Sequence, residues 1–273
     1  MNISILKRNR RVCTYRNYFL ITFVITLWTH SACSLRAEAD IPVSSIDKTT
    51  IGPALQEAER LFANREDLAN LKAAVKTLAS IRDPAERSFE VEWKFAKFSY
   101  FLGKRLDASS EAEEILESGK KAALIASKIS PGRPEGHFWY AANLGELSRM
   151  NPITVGIKSV DDIREALNRV IQIDPTYQSA SAYDALGQLE METRSLKGGK
   201  AEKAVEYFEK GLELSKDNAN IRANLAEVYF AVKRDSDART QIAELLKMTP
   251  NPEYKFEHDA AVERAKRLLK NQP

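Results

Sequence analysis

The feature that most constrains this 273-residue chain is the spacing of apolar and small residues over residues 220–250. Tyr229 is followed after nine residues by Ala238, and apolar positions then recur at steps of four and three. Such steps place side chains on one face of an α-helix, and a proline ends a helix because it removes a backbone hydrogen bond. The positions concerned are Leu225, Ala226, Tyr229, Ala238, Ile242, Leu245 and Pro250. The pattern predicts a hairpin of two helices that approach closely at Ala238.

The same spacing recurs upstream with longer turns, which include predicted insertions at residues 150–160 and 193–199, so the hairpin is one unit of a repeat. The upstream units begin near Phe62, Trp93, Leu144 and Leu186, and an amphipathic helix is predicted over residues 254–271. One hairpin cannot bury its own apolar face, so neighbouring hairpins must share a continuous core. The sequence therefore predicts an all-α fold, an α-solenoid of about five helical hairpins closed by a C-terminal capping helix.

A different composition marks the N-terminus. A basic stretch that ends at Arg16 precedes a mostly apolar run over residues 18–28, and small polar residues follow. This order is typical of a secretory signal peptide, and the run is short for a spanning helix, which needs about 20 residues. An uncleaved membrane anchor remains the alternative, because no charged residue lies between Arg16 and Arg36.

Two processing sites compete at the end of this leader. The residues Ala37, Glu38 and Ala39 before Asp40 fit the small-x-small pattern of a signal peptidase. Cys33 follows Ser31 and Ala32 as the cysteine of a bacterial lipobox does, which predicts lipidation at Cys33, although His30 stands where that motif has an aliphatic residue. The predicted domains are a signal peptide over residues 1–39, a flexible tether over 40–50 and a helical repeat domain over 51–273.

The charge of the chain depends on that leader. Residues 1–39 account for six of the 41 Lys and Arg residues and for one of the 38 Asp and Glu residues, so the remainder has a net charge of −2. Nucleic-acid binding requires a basic surface, and we therefore expect no nucleic-acid partner. Beyond Cys33 the chain has no cysteine, which excludes disulfides and thiolate sites from the repeat domain.

Three segments carry a resemblance to known families. They are PEGHFWYAANLGEL (134–147), IQIDPTY (171–177) and ALGQLEMETRSLKGGKAEKAVEYFEKGLEL (185–214). The repeat spacing resembles tetratricopeptide (TPR) repeats, and these segments resemble the T component associated with TRAP transporters, the TatT-like family. The same order also resembles the regulator-of-microtubule-dynamics TPR proteins. The TatT-like resemblance implies a periplasmic protein, often lipid-anchored, that assists a substrate-binding protein of a solute transporter.

Residues suited to catalysis are few. His137 and His258 lie in different predicted units, and no His-x-x-x-His pair is present, so neither a metal site nor a cofactor is expected. The Gly198-Gly199-Lys200 run lacks the other residues of a phosphate-binding loop and is interpreted as a turn. We therefore predict that the protein is not an enzyme.

The first helices of the hairpins are expected to line a concave binding groove, because partners of solenoids usually bind there. If Leu144 and Leu186 face inward within their hairpins, a mixed polar and apolar set of residues projects into this groove. The predicted groove residues are Lys94, Phe98, Trp139, Glu146, Arg149, Asp184, Gln188, Met191, Asn220, Glu227 and Phe230. Periodicity alone leaves open whether Phe98, Trp139 and Phe230 lie in the groove or in the core.

These observations predict an exported, non-enzymatic TPR protein that acts as a protein–protein binding or assembly module at the cell envelope. We expect it to be periplasmic and attached to the membrane only through an N-terminal lipid or an uncleaved anchor. The alternative is a periplasmic accessory of a TRAP-type transporter that binds a substrate-binding protein or a small ligand. A purely structural envelope scaffold and a homo-oligomer also remain open.

Overall fold

The computed structural model describes residues 46–195 and 197–271, apart from the side chain of residue 253. The predicted signal peptide, Cys33 and most of the predicted tether lie outside these residues. No helix in this part of the chain is both long and apolar enough to cross a membrane.

The described residues form eleven α-helices. They are α1 (Lys48–Ala63), α2 (Leu68–Ser80), α3 (Phe89–Arg105), α4 (Ser110–Ile129), α5 (Pro134–Met150), α6 (Ile157–Ile173), α7 (Tyr177–Glu192), α8 (Ala201–Leu214), α9 (Ala219–Ala231), α10 (Asp235–Lys247) and α11 (Lys255–Asn271). A short 3₁₀ turn, Pro252–Tyr254, precedes α11. Five successive pairs pack as hairpins and α11 packs on α9 and α10, which confirms the predicted architecture.

Polar side chains fix where several helices begin. Asp47, Asp67 and Asn218 each accept a hydrogen bond from a backbone N–H group in the first turn of the helix that follows. This satisfies a donor that has no partner within the helix. Because Asp47 caps α1, the helix begins at Lys48, three residues before the predicted start of the repeat domain.

Two apolar clusters run through the stack. The N-terminal cluster extends from Ala58 to Leu189 and joins α1 to α7. The C-terminal cluster extends from Ala180 to Ala265 and joins α7 to α11. Apart from Pro250, the residues whose spacing predicted the hairpin of α9 and α10 lie inside the second cluster, and Leu225, Ala238 and Leu245 are almost fully buried.

Two segments depart from regular α-helix. Pro152–Gly156 forms a π-helical turn between α5 and α6, inside the segment predicted as an insertion. Gln178, Ser179 and Ala180 near the start of α7 have φ between 48° and 61°, in the left-handed region that non-glycine residues rarely adopt. Asn218 donates a hydrogen bond from Nδ2 to the carbonyl oxygen of Ser179 at 2.8 Å, which ties this left-handed turn to the N-cap of α9.

The final helix also contacts the first hairpin. Arg65, in the turn between α1 and α2, forms an ion pair with Glu257 of α11 at 2.9 Å, and its side chain is 9% exposed. Arg105, at the end of α3, donates hydrogen bonds to the carbonyl oxygens of Arg65 and Glu66, and its guanidinium lies 5.3 Å from the ring centre of Phe256. The helix predicted to cap the far end of the solenoid therefore also closes back onto its beginning.

Candidate functional site

A cavity of about 780 Å³ lies on the concave side of the stack. Its walls come from α3, α5, α7 and α9, the first helices of four consecutive hairpins, together with α6 and α11. This volume is within the range of about 300–1,000 Å³ that is typical of ligand-binding sites. Pro152 and Gly156 of the π-helical turn line it, as do Thr193 and Lys197 of the turn after α7. Both predicted insertions therefore contribute to the cavity.

Six of the predicted groove residues meet in this cavity. They are Trp139, Glu146, Arg149, Asp184, Gln188 and Asn220. They come from α5, α7 and α9, and the stacking of successive hairpins brings them together. Trp139 is 2% exposed and also belongs to the N-terminal cluster, so it borders the cavity from within the core.

The other five predicted groove residues do not line the cavity: Lys94, Phe98, Met191, Glu227 and Phe230. Phe98 is 2% exposed and stacks on Phe62 at 4.0 Å between ring centres, because the first hairpin covers that face of α3. Phe230 and Met191 belong to the C-terminal cluster. Lys94 is paired with Glu59, and Glu227 is exposed to solvent away from the cavity.

Arg149 is the centre of a charged network on the cavity wall. It forms ion pairs with Glu146 at 2.6 Å and with Glu192 at 2.9 Å, and it donates a hydrogen bond to Gln188 Oε1 at 3.1 Å. Burial alone would lower the pKa of Arg149, but the charges of Glu146 and Glu192 raise it above its ordinary value. The network holds α5 and α7 together at the cavity, and its charges balance when Lys104, which lies 3.9 Å from Glu146, is included.

Asp184 presents a second polar group of the wall. Its carboxylate accepts hydrogen bonds from Asn224 Nδ2 at 2.5 Å and from Gln188 Nε2 at 2.8 Å. Burial raises the pKa of Asp184 above its ordinary value, and these two hydrogen bonds together with the charge of Arg264 oppose that rise. No lysine or arginine of the described residues lies within ion-pair distance of this carboxylate; the interaction with Arg264 acts over a longer range.

Aromatic side chains form a third part of the wall. Phe138 and Trp139 lie edge to face with ring centres 4.9 Å apart. Trp139 Nε1 donates a hydrogen bond to the hydroxyl of Tyr177 at 3.1 Å, so this donor is already used within the protein. The cavity thus combines paired charges, carboxamides and aromatic rings, an arrangement suited to binding. No group of His, Cys, Asp and Glu in the described chain is arranged to hold a metal ion.

Family models match two consecutive regions of the chain. Residues 54–198 match the family described as regulator of microtubule dynamics protein 1-3, which is just over half of the chain. The chain belongs to this family. The family match covers α2 to α7 and most of α1, and it therefore includes the α3, α5, α6 and α7 walls of the cavity. A tetratricopeptide-repeat match over residues 195–255 continues it through α8, α9 and α10.

Solved structures support the fold of this family member. A thermophilic TPR protein of Thermus thermophilus is 17% identical, with a TM-score of 0.55, over 78% of this chain and 98% of that chain. The pilF protein of Pseudomonas aeruginosa is 16% identical, with a TM-score of 0.45, over 82% of this chain and 92% of its own. At such identities the likeness shows the fold alone. The Thermus protein, with the higher TM-score, supports that fold. No curated protein matches the chain. The resemblance to the TatT-like family stays a prediction.

Sequence reasoning missed a group of cavity residues in the C-terminal part of this family member. They are Gln178, Ser179, Asn218, Asn224, Tyr254, His258 and Arg264. The residues of α11 were missed because that helix was interpreted only as a cap. Gln178 and Ser179 face the cavity because they lie in the left-handed turn. None of the three residues of that turn is a glycine, the residue that usually indicates such a conformation.

Proposed function

We propose that the chain is a non-enzymatic binding module that receives an extended segment of a partner protein in its concave cavity. The observation that carries this proposal is that the cavity follows the first helices of four consecutive hairpins. Solenoid repeats commonly use this surface for recognition, because it is continuous across several units. Its carboxamides both donate and accept hydrogen bonds, as peptide groups do, so Gln178 and Asn220 offer complementary partners to an extended backbone.

A glycine in the cavity wall provides a direct test. Gly145 of α5 lines the cavity, and a Cβ atom at this position would meet no other atom within 4 Å. The substitution Gly145→Phe should therefore direct a ring into the cavity from a position where the Cβ atom itself meets no neighbour. Gly52 of α1 lies outside the cavity, and a Cβ atom there would likewise meet no atom within 4 Å, so Gly52→Phe is the matched control.

The experiment is a capture of partners from cross-linked cells by the tagged full-length chain, read by mass spectrometry. We expect proteins that are captured by the wild type and by Gly52→Phe to be lost from Gly145→Phe, with equal thermal stability of all three proteins. Capture of the same proteins by Gly145→Phe would show that the cavity is not the binding site.

A second candidate is a module that encloses a small ligand, and the size of the cavity favours it. The volume of about 780 Å³ suits a small molecule, and α11 limits access by closing onto the first hairpin. Native mass spectrometry of protein purified from cells would distinguish the two candidates. A bound small molecule that is present in the wild type and in Gly52→Phe but absent from Gly145→Phe would favour the second.

We propose further that the protein acts outside the cytoplasm, near a membrane, where it serves envelope assembly or a TRAP-type transporter. The basic and apolar leader and the position of Cys33 support export. Fractionation of cells that produce the full chain or Cys33→Ser tests the tether, since a lipidated protein would leave the membrane fraction when Cys33 is replaced. Capture of a periplasmic solute-binding protein would favour the transporter role, and capture of envelope-assembly proteins would favour a scaffold.

A further inference from the structure

Two polar groups of α11 at the cavity lack hydrogen-bond partners in the described part of the protein. His258 is 9% exposed and lines the cavity, and its Nε2 atom is buried without a partner. Its other ring nitrogen, Nδ1, lies 3.5 Å from Asp259 Oδ1. Arg264 also lines the cavity, and its Nε atom is likewise buried and unpartnered. A buried polar atom without a partner is costly, so such atoms often mark the position of a ligand.

The charge of Arg264 is also less well compensated than that of the other cations of the wall. Arg149, Lys104 and Lys197 each have an acidic partner within 4.0 Å. Arg264 has no such partner among the described residues, and its one hydrogen bond joins Nη2 to the carbonyl oxygen of Asn220 at 3.4 Å. Asp184 attracts it only from a longer distance, and two carboxamides already bind that carboxylate.

The beginning of α9 lies beside Arg264. Residues 217–220 line the cavity, and the contact between Arg264 and the carbonyl oxygen of Asn220 joins the first turn of α9 to α11. The N-terminus of a helix carries a partial positive charge and favours anions. A guanidinium and a helix N-terminus therefore meet at one end of the cavity, whereas His258 lies six residues before Arg264 on α11, about 9 Å along the helix axis.

We propose that this end of the cavity binds a carboxylate group of the occupant, with Arg264 as the ligand. The planar fork of a guanidinium matches the two oxygens of a carboxylate. A singly charged group fits better than a phosphate, because Asp184 and Asp217 also line the cavity and would repel a second negative charge. Aromatic side chains elsewhere on the wall, Phe138 and Trp139 among them, suit an apolar body attached to the carboxylate.

This inference rests on the proposed function, since it specifies the chemistry of what the cavity receives. The carboxylate is either that of a small organic acid or the C-terminus of a partner segment, and both present the same group. Matched probes separate these sources. The first pair is 3-phenylpropanoate and its amide, and the second is the peptide Ala-Ala-Phe with a free or an amidated C-terminus.

Isothermal titration of the full chain with each probe tests the proposal. We expect the wild type to bind the carboxylate member of at least one pair about 10-fold or more tightly than the amide. The substitution Arg264→Gln should remove this difference, and Arg264→Lys should retain part of it. Arg267→Gln changes an exposed arginine of the same helix outside the cavity and should leave the preference intact.

A second variant guards against misfolding of the first. Arg264→Lys keeps a positive charge at this position, so partial retention of the preference would show that its loss in Arg264→Gln is not a loss of folding. Equal affinities for carboxylate and amide in the wild type, or a preference that survives in Arg264→Gln, would overturn the inference. The absence of saturable binding of both carboxylate probes at millimolar concentration would overturn it as well. Capture of partners by the wild type but not by Gly145→Phe would leave the proposed function standing in any of these cases.

Discussion

The two apolar clusters of the solenoid are built from different side chains. In the N-terminal cluster aromatic rings contact one another across helices, as Phe62 does with Phe98 and Phe101 at 4.0 and 5.2 Å between ring centres. Both clusters bury alanines completely, but alanines such as Ala204, Ala226 and Ala238 make up half of the buried members of the C-terminal cluster and less than a third of those of the N-terminal cluster. Large rings fill the space between separated helices, whereas small side chains let helices approach closely.

The buried polar groups of the two parts also differ, because the N-terminal part buries a charged carboxylate. Glu92, on α3, is 0% exposed and forms ion pairs with Arg82 at 2.7 Å and with Arg87 at 2.9 Å. The C-terminal part buries His258 and Asn224 instead, and both line the cavity. This difference indicates that the N-terminal part depends more on charge for its stability, and the tetratricopeptide match over residues 195–255 falls in the other part.

The largest expected effect comes from removing the buried charge of the N-terminal part. Glu92→Gln leaves two arginines without their common partner, and we expect the free energy of unfolding to fall by about 3 kcal/mol. Chemical denaturation measures this change. Glu57→Gln removes an exposed carboxylate that pairs with Arg60 and should have little effect. Equal effects of the two substitutions would argue against a special dependence of the N-terminal part on charge.

Two glycines that each follow a leucine sharpen the comparison. A Cβ atom at Gly187 would lie 2.5 Å from the buried ring of Phe208, so Gly187→Ala should destabilise the fold by about 1–3 kcal/mol. Gly145 has open space around it, and Gly145→Ala should stabilise α5 by about 0.5–1 kcal/mol. Thermal or chemical unfolding of both variants checks the opposite signs. Stabilisation by Gly187→Ala would mean that α7 and α8 are less tightly packed than the contact with Phe208 indicates.

The ion pair between Arg65 and Glu257 tests whether the two parts are coupled. A double-mutant cycle with Arg65→Gln and Glu257→Gln should yield a coupling of about 1–3 kcal/mol, because both side chains are largely buried. Hydrogen exchange should show faster opening of α11 in either single variant. The exposed pair of Lys48 and Glu86 provides the reference, for which no measurable coupling is expected. A null result for both pairs would leave the contact between Arg105 and Phe256 as the link from α11 to the first part of the stack.

The smallest expected effect concerns the pH dependence set by Asp184. Since its pKa is higher in the folded than in the unfolded protein, its contribution to stability is greatest below its ordinary value and is lost as the pH rises through the folded value. The substitution Asp184→Asn should therefore improve stability relative to the wild type more at about pH 7 than at about pH 4. Unfolding measured at both pH values gives the difference. The opposite trend would indicate that the carboxylate is stabilised as an anion by its neighbours.

Part of this architecture was predictable because it depends on local periodicity. The close approach at Ala238 and the burial of Ile242 and Leu245 follow from steps of three and four residues along a helix. The groove prediction was less specific. Phe98 and Trp139 have the same kind of helical neighbourhood, yet Phe98 is covered by the first hairpin and Trp139 lines the cavity. Which face a neighbouring hairpin covers depends on the angle between hairpins, and no local pattern encodes that angle.

The sequence by itself determined the helical class, the number of hairpins and the small residues at their contacts, because each of these depends on residues close together along the chain. Tertiary structure alone decided that α11 returns to the turn between α1 and α2, where Glu257 meets Arg65 across 192 positions. It also decided that Arg264 and His258 face the same cavity as Asp184. Each of these arrangements depends on the small rotation between successive hairpins, added up over the five hairpins. Only the packing of the whole stack therefore defines them.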